Sequence, residues 1–510
     1  MLESNHKRIL RNTGMLYIRM LLAMVVGLYT TRVLLNVLGV EDFGIYFVVA
    51  GFVALLGFMQ GALTTATQRY FAFDLGQNSG HNLRGLFNTS LQVHALLAVC
   101  IVMLAETAGY WFVSTRLNIP EGRLVAALLA YHLSVASFAV TVMTVPLTAM
   151  LMANERMGLF ALMSMADLLL KLAAVLLLPY LVYDHLSMYA ALLLVVSLLT
   201  LSGYLLINRA IFPGVRLQRG FDKKSFHSML GFTAWNTWGN LAAALSEHGN
   251  NVLLNIFFGP AVNAGRSIAT QANGALNQFV TNVQAAINPQ IVKLYASGER
   301  EQMHKLALRA AKYNFFILLV LAMPVLLNPD KLLRLWLVEV PPYAAVFLQL
   351  TIVASLINSV SGPLMTSAQA TGHIRLYHSV VGGILLLNVP LNYLLLSCGL
   401  PPETLLAVTI ALAVVALVAR LYIITPLIGL PVGLFLSRVV GKATLVALVA
   451  GIFAILTQAA SSGSLLILFS NLITAMAVTL IAIWMLGLDK SERQYIVSLL
   501  KSLKARTPLI

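Results

Sequence analysis

The chain is poor in charge, poor in acid and almost free of cysteine: 10% of its 510 residues are charged, 18 are Asp or Glu, and two are Cys. Two cysteines, Cys100 and Cys398, exclude a disulfide framework and any cysteine-based metal centre. Charge at less than half the usual share excludes an ordinary soluble globular domain, in which about a quarter of residues are Asp, Glu, Lys or Arg. No glycine-rich phosphate loop ending in Lys and Ser or Thr is present, so nothing points to direct ATP use. Long polar loops are also missing. The longest segments expected outside, around 112–123 and 328–342, carry no cluster of acids or histidines for acid–base chemistry, which disfavours a membrane polymerase or ligase. The expectation is a protein that is not an enzyme, with no cofactor and no metal.

What is present is apolar length. Hydrophobic residues make up 59% of the chain, and apolar runs of membrane-crossing length recur from end to end. The pattern predicts an all-α polytopic membrane protein with about fourteen transmembrane helices, at roughly 15–38, 43–65, 86–110, 124–152, 158–182, 187–211, 228–258, 261–287, 306–328, 343–366, 376–399, 403–428, 438–460 and 464–487. The basic start followed by an apolar run reads as a retained first span, because the run exceeds a signal-peptide core and lacks a small-residue cleavage site.

An even number of spans puts both termini on one side, and the 33 basic residues indicate which. Only Arg116, Arg123, Lys331 and Arg334 fall in outer segments, and Arg19, Arg32, Lys171, Arg266 and Arg420 fall within spans; the other 24 lie in segments that are inner if the N-terminus is cytoplasmic. The net charge of +15 is therefore topology plus buried cations rather than a nucleic-acid surface. The expected location is a bacterial inner (plasma) membrane, with both termini cytoplasmic and membrane lipids as the surroundings.

The sequence also repeats. Leu34-Leu35-Asn36 recurs as Leu253-Leu254-Asn255, Gln68 and Gly76 as Gln290 and Gly298, and Pro146-Leu147 as Pro363-Leu364, at offsets of 219, 222 and 217. Six spans per repeat would place two six-helix bundles in the same orientation, related by a pseudo-twofold axis along the membrane normal, with two extra C-terminal helices. The expected domains are 1–211, a basic inner linker at 212–227, 228–428, and 429–510 with the last two spans and a basic tail.

A cation in the bilayer centre costs from about 3 kcal/mol on insertion scales to roughly 10 or more in simulations, so Arg32, Lys171 and Arg266 each need a partner, a wet cavity or an anionic substrate. These three are the candidate substrate-binding residues of a cationic cavity. Arg19 lies thirteen residues before Arg32, about 220° around the helix, so the two do not share a face. Span 8 carries Arg266, Thr270, Asn273, Asn277, Thr281, Gln284 and Asn288 at steps of three or four, a single polar face. Span 7 adds Asn236, Asn240, Glu247 and Asn251. Asn236, Asn240, Thr270, Asn273, Asn277 and Gln284 are candidates for a polar cavity wall, against the plainer alternative of helix–helix hydrogen bonds worth about 0.6–2 kcal/mol each. Asp167 and Lys171, one turn apart with the acid first, suit a helical ion pair, a substrate contact by Lys171, or a proton-linked role for Asp167. Glu247, beside His248, joins Asp167 as a candidate for ion coupling. Glu106, His94, His132 and His378 read as interfacial or satisfied core groups.

The run Thr31-Arg32-Val33-Leu34-Leu35-Asn36-Val37-Leu38-Gly39-Val40-Glu41-Asp42-Phe43-Gly44-Ile45-Tyr46, with Gln68-Arg69-Tyr70-Phe71 and the later Gln369-Ala370-Thr371-Gly372-His373-Ile374-Arg375, resembles the polysaccharide flippases of the multidrug/oligosaccharidyl-lipid/polysaccharide exporter superfamily, the Wzx-type branch. The resemblance implies movement of undecaprenyl-pyrophosphate-linked oligosaccharide repeat units from the inner to the outer leaflet by alternating access, for O-antigen lipopolysaccharide, capsule or a related polymer, with a polysaccharide polymerase as a candidate partner. A multidrug cation antiporter of the same superfamily is the alternative, disfavoured because span 1 holds arginines and no carboxylate. A lipid II flippase is a nearer alternative, since it too would have fourteen spans and a cationic cavity.

Overall fold

The computed structural model describes residues 2–57, 60, 67, 71, 83–154, 156–213, 241, 244–371, 375–456, 465–494 and 497–498; for 2–19, 83, 157, 285, 286, 289 and 296 it describes the backbone alone. The expected contacts of Gln68, Gly76, Asn236 and Asn240, much of the 212–227 linker and the end of the basic tail lie outside these residues. The described residues form an all-α protein, as the apolar runs require: in hydrocarbon each backbone N–H and C=O must be satisfied within its own segment, and a helix does this.

The helices are α1 (Leu2–Leu55), α2 (Leu83–Leu104), α3 (Tyr110–Arg116), α4 (Leu124–Ala153), α5 (Met157–Leu177), α6 (His185–Ile211), α7 (residues 244–258), α8 (Pro260–Ala296), α9 (Arg300–Leu327), α10 (Pro329–Trp336), α11 (Ala344–Ser359), α12 (Gly362–Ala370), α13 (Arg375–Leu386), α14 (Asn388–Ser397), α15 (Thr404–Ile428), α16 (Val432–Phe435), α17 (Lys442–Leu456) and α18 (Leu465–Ala482). Among the described residues, eleven helical stretches are long and apolar enough to cross a membrane. The first, Met20–Leu55, breaks at Gly39 (φ 74°, ψ 172°) and so holds the expected spans 1 and 2 up to Leu55. Span 7 lies partly outside the described residues, and span 8 is α8, whose amides keep it below the hydropathy of the others. The chain is a multi-pass membrane protein. Its outward surface agrees, with Val125, Leu466 and Val182 at 81%, 81% and 99% exposure.

Packing divides the chain into two compact units, one of Met1–Gln271 with Trp336–Ala344 and Gly382–Val408, the other of Ala272–Leu335 with Ala345–Val381 and Thr409–Ile510. In the first unit α4 packs along α6 and α2, while α1 lies against α4 and α5. Phe71, Phe87, Leu147, Met150, Met163 and Tyr204 build a core at one end of this bundle. Two ties hold its loops. Arg123 clamps Asp42 through Nε and Nη2 at 2.7 and 2.5 Å and reaches Asp184 through Nη1 at 2.6 Å. Burial pushes the Asp184 carboxyl up, but hydrogen bonds from Ser187 and the Arg123 guanidinium outweigh it and hold it below its ordinary value. Asn255 binds the loop at Asn118 twice, accepting from its N–H at 2.9 Å and donating to its carbonyl at 3.3 Å.

The repeat has a conformational counterpart. Leu34-Leu35-Asn36 and Leu253-Leu254-Asn255 are each followed within four residues by a glycine in the left-handed region, Gly39 at φ 74° and Gly259 at φ 82°. Each glycine breaks its helix without the Cβ clash that another residue would meet there. Pro260 then opens α8 at the first helical position, where its missing N–H goes unused.

In the second unit α9 packs on α17, α18 and α12. Lys312, 3% exposed, donates to Glu492 at 2.6 Å, tying α9 to the segment after α18. Cys100 and Cys398 are free thiols and both exposed.

Candidate functional site

Arg266 is the most deeply buried of the three candidate cations, at 6% exposure. The turn at Gly259 folds α8 back on α7, which brings the Arg266 Nε to within 3.0 Å of the Asn251 Oδ1 acceptor. Its Nη1 is buried with no hydrogen-bond partner among the described residues. Glu247, exposed on α7, lies within electrostatic reach, as does His248, whose Nδ1 is also buried and unpartnered. Gly51 of α1 leaves the space beside His248 and Asn251, with nothing closer than 3.8 Å to where a Cβ would stand. The close fit of α8 is made by two glycines. A Cβ on Gly44 would collide with the Pro260 carbonyl, and one on Gly265 with the Pro342 carbonyl.

An unpaired buried guanidinium nitrogen is expensive, and among the described residues Arg266 alone shows one. Arg420 in the second unit, 9% exposed, shows the satisfied case: Nη1 donates to Ser361 at 2.9 Å and Nε to Tyr377 at 3.2 Å, with no buried nitrogen left over. Arg266 thus keeps a directed donor free for an acceptor that the described protein does not supply.

Lys171 and Asp167 stand together at the expected spacing, Nζ to Oδ2 2.7 Å, on the wall of a pocket of about 340 Å³ inside the first unit. Thr200 donates to the other carboxylate oxygen at 3.0 Å. Hydroxyls make up much of the remaining wall, from Thr141, Thr144 and Thr148 on α4, Ser164 on α5 and Ser197 on α6, beside Ala23, Leu168 and Tyr204. Each of these threonine and serine hydroxyls donates to a carbonyl of its own helix, at 2.6–2.9 Å. Their protons are committed, so they offer lone pairs to the pocket, and a ligand with hydroxyl or ammonium donors suits that wall. The signal was present in the sequence, since Thr141, Thr144 and Thr148, and Ser164, Asp167 and Lys171, fall at helical steps like those of the asparagine stripe.

The remaining candidates fall elsewhere. Arg32 is exposed and has no hydrogen bond or ion pair among the described residues. Its neighbour Thr31 donates to Gln271, which ties α1 to α8. Thr270 is half-buried. Asn273 and Asn277 donate to one Ser355 hydroxyl at 2.9 and 3.2 Å, Gln284 lies over Gly362, and Thr366 donates to Asn288 at 2.9 Å. These amides and carbonyls therefore engage α11 and α12 within the second unit. Asn236 and Asn240 lie outside the described residues. A further network joins Asn250, Asn388 and Asn392 in the first unit, with Asn392 donating to Asn388 at 2.6 Å. Glu106 pairs with His132 at 2.7 Å, both partly exposed. Among the described residues no group of His, Cys, Asp and Glu could hold a metal ion.

Isolated buried cations and polar pockets among apolar helices suit a charged or polar ligand inside a membrane protein. The family described as MatE matches residues 249–394, the stretch that begins beside His248 and includes Asn251 and Arg266. Among solved structures, the chain is similar to the lipid II flippase MurJ in an inward closed conformation, with a TM-score of 0.73 at 14% identity over 91% of this chain and 97% of that one. It is also similar to the MATE multidrug transporter DinF-BH, with a TM-score of 0.62 at 12% identity over 82% and 95% of the two chains. A transporter of the MOP superfamily from Pyrococcus furiosus gives 0.55 at 16% identity over 82% and 96%. The chain matches no curated protein. Its fold is the one these solved structures of the MOP superfamily share.

Proposed function

We propose that the protein flips an undecaprenyl-pyrophosphate-linked oligosaccharide from the inner to the outer leaflet by alternating access, as a step in surface polysaccharide biosynthesis. The observation that carries this reading is Arg266, buried with Nη1 unpartnered among the described residues. A guanidinium is weakly hydrated for a cation and binds phosphate oxygens with a fork of donors, so a pyrophosphate suits it better than an organic cation does. Arg32, exposed on α1, is the second candidate for the phosphates. The acceptor-rich pocket around Asp167 and Lys171 supports a polyhydroxylated ligand, and Asp167 and Glu247 remain the candidates for ion coupling. The polyprenyl tail stays in lipid.

Movement of lipid II is the second reading, favoured by the TM-score of 0.73 to a lipid II flippase. Both ligands present a polyprenyl pyrophosphate, so Arg266 serves either. Deletion of the gene in its host, followed by analysis of lipid-linked intermediates, tests the proposal. Build-up of an undecaprenyl-linked repeat unit with loss of surface polymer is the expected result. Build-up of lipid II would favour the second reading, and normal polymer with new sensitivity to cationic drugs would favour a multidrug antiporter.

A further inference from the structure

A further polar cavity lies within the second unit. It measures about 390 Å³ and is lined by Lys305, Arg309 and Lys312 of α9, by Arg438 and Lys442, and by Asp489 and Glu492. Five cations face two carboxylates, and Lys305 is paired besides with Glu301 at 2.6 Å, which leaves an excess of two positive charges. The carboxylates are already committed: Glu492 to Lys312 at 2.6 Å and to Arg309 at 3.6 Å, Asp489 to Lys442 at 2.5 Å. Arg438 has no hydrogen bond or ion pair among the described residues, and it is presented on a π-helical turn, Leu436–Gly441, that widens the helix ahead of α17. A neighbouring pocket of about 660 Å³ shares Lys305 and Arg309 and adds Lys293 together with Glu299.

The cavity sits where three membrane-crossing stretches begin or end: Arg300–Leu327, Val432–Leu456 and Leu465–Gly487. That is headgroup depth, on the face that the basic-residue bias assigns to the inside. Beyond it, α17, α18 and the turn after α18 carry bare apolar side chains outward, among them Leu445, Leu448, Ile481 and Met485 at 48–64% exposure. A basic pocket continuous with an exposed apolar flank has two chemistries, and one ligand satisfies both. We infer that this cavity binds the phosphate headgroup of an anionic membrane phospholipid, whose acyl chains lie along α17 and α18. An excess of two charges favours a headgroup with two phosphates over one with a single phosphate.

The test uses the purified full-length protein, titrated with phosphatidylglycerol, diphosphatidylglycerol, phosphatidylcholine or inorganic phosphate and read by native mass spectrometry and by thermal stability. The expected result is retention of both anionic lipids in preference to phosphatidylcholine, with diphosphatidylglycerol the tighter. Arg309→Gln with Arg438→Gln should weaken that binding about thirtyfold, the effect of two cations at a membrane surface. Arg438→Gln alone leaves every ion pair of the cavity intact and should weaken it by roughly fivefold on the same scale. The proposal is overturned if anionic lipids bind no better than phosphatidylcholine, or if both variants bind them like the wild type. It is overturned as a lipid site if inorganic phosphate alone gives the same stabilisation as the lipids.

Discussion

Arg266 donates through Nε to Asn251 at 3.0 Å across the turn at Gly259, and its Nη1 remains buried without a partner among the described residues. The asparagine fixes the long side chain and orders the guanidinium before a ligand arrives, so less rotamer freedom remains to be lost on binding. Arg266→Ala is expected to abolish polymer export while the protein is still inserted and expressed. A lost charge-assisted contact of about 1.5–3 kcal/mol corresponds to roughly 10- to 150-fold in affinity. Arg266→Lys should retain part of the activity if bulk charge suffices and none if bidentate phosphate recognition is required. Export assays of both variants beside membrane-protein levels decide it, and unchanged export in Arg266→Ala would remove this residue from the site.

Lys171 and Asp167 give a different expectation because their side chains are 46% and 27% exposed. An ion pair that accessible contributes about 0–1 kcal/mol to stability. Lys171→Met should therefore leave the unfolding temperature nearly unchanged while reducing transport. A fall in stability equal to that of a core substitution would show the pair to be structural instead.

The Lys312–Glu492 pair is the buried counterpart, both side chains being 3–4% exposed. Lys312→Met removes the short partner of a buried carboxylate, leaving it only Arg309 at 3.6 Å and the Asp489 N–H, and should destabilise the protein by about 3 kcal/mol. The double variant Lys312→Met with Glu492→Gln should recover most of that loss. Thermal unfolding of the two single variants and the double variant forms the cycle, and additive losses would refute the coupling.

Gly44→Ala places a methyl group against the Pro260 carbonyl. Backbone cannot swing aside as a side chain does, so the two helical segments must separate, at about 1–3 kcal/mol for an overpacked contact. A lowered unfolding temperature is expected, and none would mean that α1 and the start of α8 yield easily.

Asp489 supplies an acid-dependent contribution. The hydrogen bond from Lys442, with the charges of Lys312 and Arg438 behind it, holds its carboxyl below the ordinary 3.8. A depressed folded value stabilises the fold above the unfolded value, and that stability is lost as pH falls through the lower, folded one. The unfolding temperature should therefore drop below about pH 4 by more in the wild type than in Asp489→Asn. With half of its side chain exposed, its contribution is at most about 1 kcal/mol.

The sequence was most legible where a single helix sufficed. Apolar runs placed the crossing helices because a bilayer leaves a backbone no other way to satisfy its polar groups. The spacing of Asp167 and Lys171 anticipated their ion pair because residues four apart share a helix face. The asparagine stripe was legible as one face of α8, but its partners, Ser355 for Asn273 and Asn277, Gly362 under Gln284 and Thr366 for Asn288, lie some 78–82 residues further along the chain. No periodicity within α8 names them.

By itself, then, the amino-acid order determined an all-helical membrane protein, its repeated Leu-Leu-Asn and glycine turns, and a short list of cations too costly to bury without purpose. Only the tertiary structure decided which cations are satisfied. It gave Arg420 two hydroxyl partners, left Arg266 with a free donor, left Arg32 at the surface, and gathered the Thr and Ser residues of α4, α5 and α6 around Asp167. The physical reason is range. Burial in lipid acts on each segment alone, whereas a hydrogen bond is made or missed by the placement, to within about half an ångström, of groups far apart in the chain.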